Sequence, residues 1–185
     1  MNNPVLDAIH NRRSVRGYTD EFLTNEQIAT LANAALAAPS AMNRQPYQII
    51  AVKDKALLLE IEKAAVDYFV ERGDEAMIER NKSRGNKVFY NAPAVFFIAA
   101  DEGGFAHIDA GIAVQNIALA AKSMGLDSII LGMPRYAFSG KKGEELAARL
   151  KFPEGYKLAI AIAVGHADQD GKPHELSPAK LTLIG

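Results

Sequence analysis

A short arginine-rich segment near the N-terminus contains the residue types that bind phosphate. Arg12, Arg13 and Arg16 lie within five residues, with Ser14 between them; residues 12–16 are called the arginine segment below. Guanidinium groups bind phosphate through paired hydrogen bonds, and a serine hydroxyl can add a short one. In an extended chain alternate residues point to one side, so Arg12, Ser14 and Arg16 would face a single anion. The alternative is an exposed basic loop that pairs with acidic neighbours.

A second candidate segment is residues 38–47, called the proline loop below. Pro39 and Pro46 bracket its polar residues and restrict the backbone. Asn43 and Gln45 each carry a hydrogen-bond donor and an acceptor, so together they can bind a ring edged by carbonyl and N–H groups. The alternative is a plain connection from a helix to a strand, in which Ser and Asn side chains bind the loop backbone.

Two later segments carry weaker signals for the same kind of ligand. Residues 131–134, Leu-Gly-Met-Pro, follow a short apolar run, and Gly132 allows backbone N–H groups to approach a flat ligand closely. Lys172 and His174 lie two residues apart in a loop-like tail. They could complete an anion site that the arginine segment begins.

Hydrophobic periodicity predicts the elements that must position these segments. Thr24 and Gln27 are spaced to form a capping box at the start of a helix. Gly125 is placed to end a long apolar helix over residues 105–124. Predicted helices and strands alternate irregularly along the chain. This pattern predicts a mixed sheet wrapped by helices in one domain, residues 1–185. Helices are predicted over residues 4–9, 24–36, 55–84, 105–124 and 140–150, and strands over 48–52, 94–100, 128–131, 157–164 and, as a last candidate, 181–184.

Composition excludes several classes of function. The chain has 185 residues, no Cys and a net charge of −1, from 21 basic and 22 acidic residues. The missing Cys exclude disulfides, thiol chemistry and Fe–S clusters, and the balanced charge argues against nucleic-acid binding. No apolar run approaches the roughly 20 residues that cross a bilayer, and no signal-peptide pattern is present. We therefore expect a cytoplasmic protein with no membrane partner.

Several common catalytic motifs are missing from the sequence. It contains no Gly-x-Gly-x-x-Gly, P-loop or Gly-x-Ser-x-Gly motif. His107 with Asp109, and His166 with Asp168, have a spacing that could bind a metal in a strand. In a helix the same spacing points the two side chains in different directions. The sequence also places no third metal ligand near either pair. We therefore interpret these residues as polar residues of the surface.

Taken in order, the segments resemble the nitroreductase family of FMN-dependent oxidoreductases. The arginine segment is similar to the family's N-terminal Arg-[Arg/His]-Ser-x-[Arg/Lys] signature. The proline loop is similar to its Pro-Ser-x-x-Asn-x-Gln-Pro-aromatic loop, with Tyr47 where many members have Trp. Residues 91–93 before a strand, and Asp109 through residues 115–116 to 125–126, match its middle strand and central helix. The resemblance covers nearly the whole chain.

The resemblance implies an α+β fold with a mixed, mainly antiparallel sheet, and an intertwined homodimer with FMN at the subunit interface. His174 stands where the family has an arginine, so the charge there would depend on pH near neutrality. The residues implied in FMN binding are Arg12, Arg13, Ser14 and Arg16 at the phosphate and ribityl chain; Pro39, Ser40, Ala41, Asn43 and Gln45 from the other subunit; Ile130, Leu131 and Gly132 beside the isoalloxazine ring; and Lys172 and His174 at the phosphate.

The implied activity is electron transfer from NAD(P)H through the flavin to a nitroaromatic, quinone or similar acceptor by a ping-pong mechanism. The flavin carries this chemistry, so no side chain is predicted as a catalytic acid or base, and no metal is predicted. Three alternatives stay open: a flavin storage or sensor protein without NAD(P)H turnover, a different flavin reaction on the same fold, and a structural module without flavin. The acceptor and the choice between NADH and NADPH are not determined by the sequence.

Overall fold

The computed structural model describes residues 3–185. These contain seven α-helices, four strands and two short 3₁₀ turns, Ala41–Asn43 and Pro178–Lys180. The helices are α1 (Pro4–Asn11), α2 (Asn25–Leu36), α3 (Lys55–Val70), α4 (Glu75–Lys82), α5 (Ala106–Ser123), α6 (Arg135–Ser139) and α7 (Gly143–Arg149), and the strands are β1 (Tyr47–Val52), β2 (Ala94–Ala100), β3 (Asp127–Leu131) and β4 (Lys157–Gly165).

The four strands form one sheet in the order β1-β2-β4-β3, and every neighbouring pair is antiparallel. An isolated parallel bridge between Ser14 and Ser128 adds the arginine segment to the outer edge of β3. The predicted α+β fold with a mixed, mainly antiparallel sheet is therefore confirmed. β1 and β3 lie at opposite edges of the sheet. The proline loop before β1 and the arginine segment beside β3 therefore lie on opposite sides of the molecule.

Two apolar cores cover the two faces of the sheet. Strand β2 is apolar at every position and fully buried, because its alternate side chains enter both cores. Val95 and Phe97 pack with helices α3, α6 and α7, whereas Phe96 and Ile98 pack with α2 and α5. Helix α5 buries one side of its predicted apolar surface against the sheet and leaves a second stripe outside.

The predicted helix boundaries hold where capping residues mark them. The Thr24 backbone N–H donates to Gln27 Oε1 at 2.8 Å, and the Gln27 backbone N–H donates to Thr24 Oγ1 at 3.1 Å. This confirms the capping box. Gly125 has φ of 74°, and the Leu126 N–H closes the end of α5 by donating to the Ala121 carbonyl at 2.9 Å.

Three predicted elements differ from the structure. The helical region 55–84 is two helices, because Gly73 takes φ of 64° and Asp74 caps a new start. The helix predicted over 140–150 is only α7, and the unpredicted α6 precedes it. Residues 181–184 form no strand, and Leu183 is 91% exposed. Apolar alternation alone does not make a strand, which needs an edge to pair with.

A buried carboxylate in α3 gives a test of the fold. Glu62 is only 9% exposed and accepts a hydrogen bond from the Phe89 backbone N–H. Burial raises the pKa of Glu62, and the Phe89 hydrogen bond opposes that rise only in part. Its contribution to stability is therefore full below the pKa of the unfolded chain and is lost as pH rises through the folded pKa.

We expect Glu62→Gln, which does not titrate, to match the wild type near pH 4 and to be more stable at pH 8. The expected gain in the free energy of unfolding is on the order of 1 kcal/mol, measured by urea denaturation at both pH values. A constant difference between the two proteins across this range would contradict the assignment.

Candidate functional site

The arginine segment is fixed to the sheet by its backbone and by its apolar neighbours. The Val15 N–H donates to the Ser128 carbonyl at 3.1 Å, and the Val15 side chain is buried. The Tyr18 hydroxyl donates within the core to the carbonyls of Val15 at 3.2 Å and Ala163 at 3.3 Å. Because these contacts hold the apolar side, Ser14 stays partly exposed and Arg16 fully exposed.

The C-terminal tail lies against the arginine segment. Gly171 is in such close contact that a Cβ at this position would collide with Arg13 Cβ. The guanidinium of Arg12 donates to Nε2 of His174. Lys172, which lies between Gly171 and His174 in the sequence, is exposed. The structure therefore brings Arg12, Arg13 and His174 together.

The positive charge of the arginine segment is not neutralised by any carboxylate among residues 3–185. Of the ion pairs formed among residues 3–185, none involves Arg12, Arg13 or Arg16. Burial, and then the positive charge of Arg13, lower the pKa of Arg12. Holding like charges together is unfavourable without an anion, so the residues present fit a phosphate group.

Strand β3 connects this cationic end to an open surface at its other end. From Ser128 to Gly132 the strand advances four residues, about 13 Å at roughly 3.3 Å per residue. A Cβ placed on Gly132 would meet no atom within 4 Å, so a ligand can approach the backbone there. Ile130 is partly buried and Leu131 is buried beside it. A ligand along this edge can thus have its phosphate at the arginines and a flat group at Gly132.

The proline loop has a strained backbone. Met42, Asn43 and Gln45 all have positive φ, at 53°, 53° and 47°. Non-glycine residues rarely adopt this region, at a cost of about 1 kcal/mol or more each, and such strain concentrates at binding sites. Hydrogen bonds within the loop hold the shape: the Gln45 N–H donates to Ser40 Oγ at 2.9 Å, and Gln45 Nε2 donates to Asn43 Oδ1 at 3.1 Å.

These internal bonds determine which groups are left for a ligand. The Ser40 oxygen accepts from Gln45, so its own O–H can donate outward. The Asn43 oxygen is occupied and its NH₂ group is left, whereas Gln45 keeps its oxygen. The loop therefore presents donors on Ser40, Asn43 and the second N–H of Gln45, and an acceptor in the Gln45 oxygen. Such a set suits a ring with alternating carbonyl and N–H groups.

The proline loop and the arginine segment do not meet within one chain. The loop leads into β1 and the arginine segment lies outside β3, so four strand spacings of about 4.8 Å each, roughly 19 Å, separate them. No hydrogen bond or ion pair between residues 3 and 185 joins the two segments. A single chain therefore does not bring the two segments to one point.

Two cavities lie elsewhere in the chain. One of 310 Å³ lies between α3 and residues 89–93, and one of 530 Å³ lies near α6 and α7. Neither is lined by any of the predicted site residues. The open cationic edge is the better candidate site, because its guanidinium groups are specific for an anion.

Residues 3–185 contain no cluster of three or more His, Asp or Glu side chains that could hold a metal. His107 is exposed on α5, and His166 instead faces Glu21 at 3.3 Å. Among the helices described, none is long and apolar enough to cross a membrane.

Comparison with known proteins identifies the family of this chain. A family described as the nitroreductase family matches residues 9–166. The chain belongs to the nitroreductase family. This confirms the resemblance drawn from the arginine segment and the proline loop, both of which lie in the matched range.

Named members of the family cover most of this chain. An FMN reductase (NADPH) of Bacillus subtilis is 30% identical over 190 residues, which span 95% of this chain and 71% of that protein. An NADPH-flavin oxidoreductase of Vibrio harveyi is 30% identical over 99% of this chain and 73% of its own length. A nitroreductase from Desulfitobacterium hafniense, solved with bound FMN, is 38% identical with a TM-score of 0.95 over 100% of both chains.

One buried residue of the site was not singled out from the sequence. Asp109 was noted for its spacing from His107 and in the match to the central helix, with no role in the site, yet its carboxylate accepts from the Ala41 backbone N–H of the proline loop. A single acidic residue in the first turn of a helix gives no signal for a partner 68 residues away. Only the packing of α5 beside the loop shows the contact.

Proposed function

We propose that residues 1–185 act as one FMN-binding domain of an oxidoreductase that takes electrons from NAD(P)H. The acceptor would be a nitroaromatic, a quinone or a similar small molecule, reached by a ping-pong mechanism. Bound FMN would supply the redox chemistry, as the names of the relatives indicate. The contribution of this chain is to bind, orient and partly cover the cofactor.

The observation that carries the proposal is the cationic cluster without a carboxylate partner at the edge of β3. Arg12, Arg13 and Arg16, with His174, would hold the FMN phosphate, and Ser14 would add a hydrogen bond. Lys172 is exposed nearby and would add a further positive charge. Ile130, Leu131 and Gly132 would lie beside the isoalloxazine ring, where the open space at Gly132 admits a flat group.

A homodimer would complete each site. The proline loop of one chain would cover the ring bound by the other, through Pro39, Ser40, Ala41, Asn43 and Gln45. Apolar side chains that face solvent in a single chain support such an interface: Val5, Leu6 and Ile9 on α1, Phe105, Ile108 and Ile112 along α5, and Leu181, Leu183 and Ile184 in the tail. Burial of the tail against a second copy would make the dimer intertwined.

No acid or base is required from this chain in the proposed reaction. An open ring face lets NAD(P)H and the acceptor bind in turn at one place, which is the basis of the ping-pong expectation. A separate dinucleotide-binding domain is not needed for a donor that stacks transiently.

The visible absorbance spectrum of the purified protein tests this function. We expect a yellow protein that anaerobic NADPH or NADH bleaches, and that a quinone or nitroaromatic then recolours. Parallel initial-rate lines for donor and acceptor would support the ping-pong mechanism. A yellow protein that neither donor bleaches would contradict the proposed turnover and favour flavin storage or sensing. A colourless protein that takes up no added FMN would contradict the cofactor assignment.

A further inference from the structure

Asp109 joins the proline loop to the body of the molecule. It lies in the first turn of α5 and is only 3% exposed. Both of its carboxylate oxygens lie 3.3 Å from the Ala41 backbone nitrogen, which donates to them. A carboxylate that is buried without a hydrogen-bond partner would be costly, so this contact satisfies the acid and the loop together.

The loop needs an attachment of this kind. Its internal bonds, from Gln45 to Ser40 and to Asn43, move with the loop. Two further contacts, the Arg44–Asp101 ion pair at 3.5 Å and the Asp101 N–H donated to the Pro46 carbonyl at 3.1 Å, hold only the C-terminal end of the loop. Three positive φ values lie within the four residues that follow Ala41. A segment strained in this way relaxes unless the surrounding structure holds it, and Ala41 lies just before the strained residues.

The contact also removes one group from the ligand surface. The Ala41 N–H is already donated to Asp109, so this amide is not available to a flavin. The side-chain donors left on the loop are then the Ser40 hydroxyl, the Asn43 amide and the second N–H of Gln45. Their position depends on where Ala41 is held.

We propose that Asp109 is a positioning residue, whose carboxylate holds Ala41 so that Ser40 and Asn43 are presented to the flavin. The part that concerns the flavin rests on the proposed function; the attachment of the loop does not. Tyr47, at the start of β1, shares this buried environment: burial raises the pKa of its hydroxyl, and the negative charge of Asp109 raises it further. The carboxylate thus lies under the loop and not at the protein surface.

A simpler role for Asp109 is to stabilise the start of α5 by its charge, since an acid in a first turn favours the helix dipole. The two roles predict different behaviour of Asp109→Asn. Asparagine lacks the charge but keeps an oxygen that can accept from Ala41. If Asp109 acts by positioning the loop, Asp109→Asn should behave like the wild type. If Asp109 acts by its charge, Asp109→Asn should behave like Asp109→Ala.

The test compares Asp109→Ala, Asp109→Asn and a matched control, Glu62→Ala. Glu62 is also a buried carboxylate that accepts a backbone N–H, but it lies in α3 on the other face of the sheet. Hydrogen–deuterium exchange follows peptides from the proline loop and from β2. Titration with FMN, followed by quenching of flavin fluorescence, gives the dissociation constant.

We expect Asp109→Ala to exchange its loop amides about tenfold faster, with β2 unchanged, and to bind FMN about tenfold more weakly. Asp109→Asn should stay within about threefold of the wild type in both measurements. Glu62→Ala should lose global stability but keep the wild-type loop exchange, relative to β2, and the wild-type dissociation constant.

Unchanged loop exchange in Asp109→Ala would overturn the attachment. A loosened loop with unchanged FMN affinity would overturn the positioning role, and equal losses in the Asn and Ala variants would assign the effect to charge at the helix start. If the wild type itself binds no FMN, the proposed function fails, and loop exchange still decides whether Asp109 holds Ala41.

Discussion

Arg16→Ala is expected to purify without FMN and with an unchanged oligomeric state. Arg16 is exposed, has no acidic partner among the described residues and follows the segment fixed to β3 at Ser128. Its removal takes a charged hydrogen-bond donor from a doubly charged phosphate. The expected loss is about 3 kcal/mol of binding free energy, or roughly a hundredfold in the dissociation constant.

Arg80→Ala provides the matched control. Arg80 is likewise an exposed arginine that forms no ion pair within residues 3–185, but it lies on α4. Its replacement should leave the flavin content and the dissociation constant unchanged. Stoichiometric flavin in purified Arg16→Ala would show that Arg16 is not a main phosphate ligand. A matching loss in both variants would point to a general effect of net charge.

The double variant Ile108→Glu/Ile112→Glu is expected to be a folded monomer that does not retain FMN. Ile108 is 58% exposed, and both side chains lie on the outer stripe of α5, so the single chain tolerates the change. In the proposed dimer each interface would bury four new carboxylates without partners. That cost, several kcal/mol, is comparable with the stability of many dimers.

Light scattering at micromolar concentration gives the mass, and the absorbance spectrum of the same sample gives the flavin content. Leu59→Glu is the control, because Leu59 is 54% exposed on α3, on the other side of the sheet. It should remain a dimer with flavin. A monomeric double variant that keeps full FMN affinity would contradict a site shared between two chains, as would a monomeric wild type.

The kind of ligand could be predicted because the residues that indicate it are close together in the sequence. Three arginines around Ser14 indicate an anion whatever the fold, and two prolines around Asn43 and Gln45 indicate a stiff polar loop. The apolar strand 94–100 and the capping box at Thr24 were likewise readable, since burial and helix starts depend on neighbouring residues. These features also identified the family.

The arrangement of these segments required the tertiary structure. No local pattern shows that the proline loop and the arginine segment lie at opposite edges of the sheet, because strand order is set by long-range pairing. The same pairing leaves residues 181–184 without a strand partner, although apolar and polar residues alternate at the start of this segment. Predicting the short α6 was also beyond the local pattern, since it depends on packing against α3.

The sequence by itself determined the ligand class and most of the elements: an anionic, ring-bearing cofactor on an α+β chain. Tertiary structure alone decided that His174 reaches Arg12, that Asp109 accepts from the Ala41 N–H, and that the proline loop and the arginine segment lie at opposite edges of the sheet. The physical reason is distance along the chain. Helix caps, charge clusters and apolar strands arise from residues a few positions apart, whereas contacts across 68 or 162 residues depend on how the sheet orders its strands.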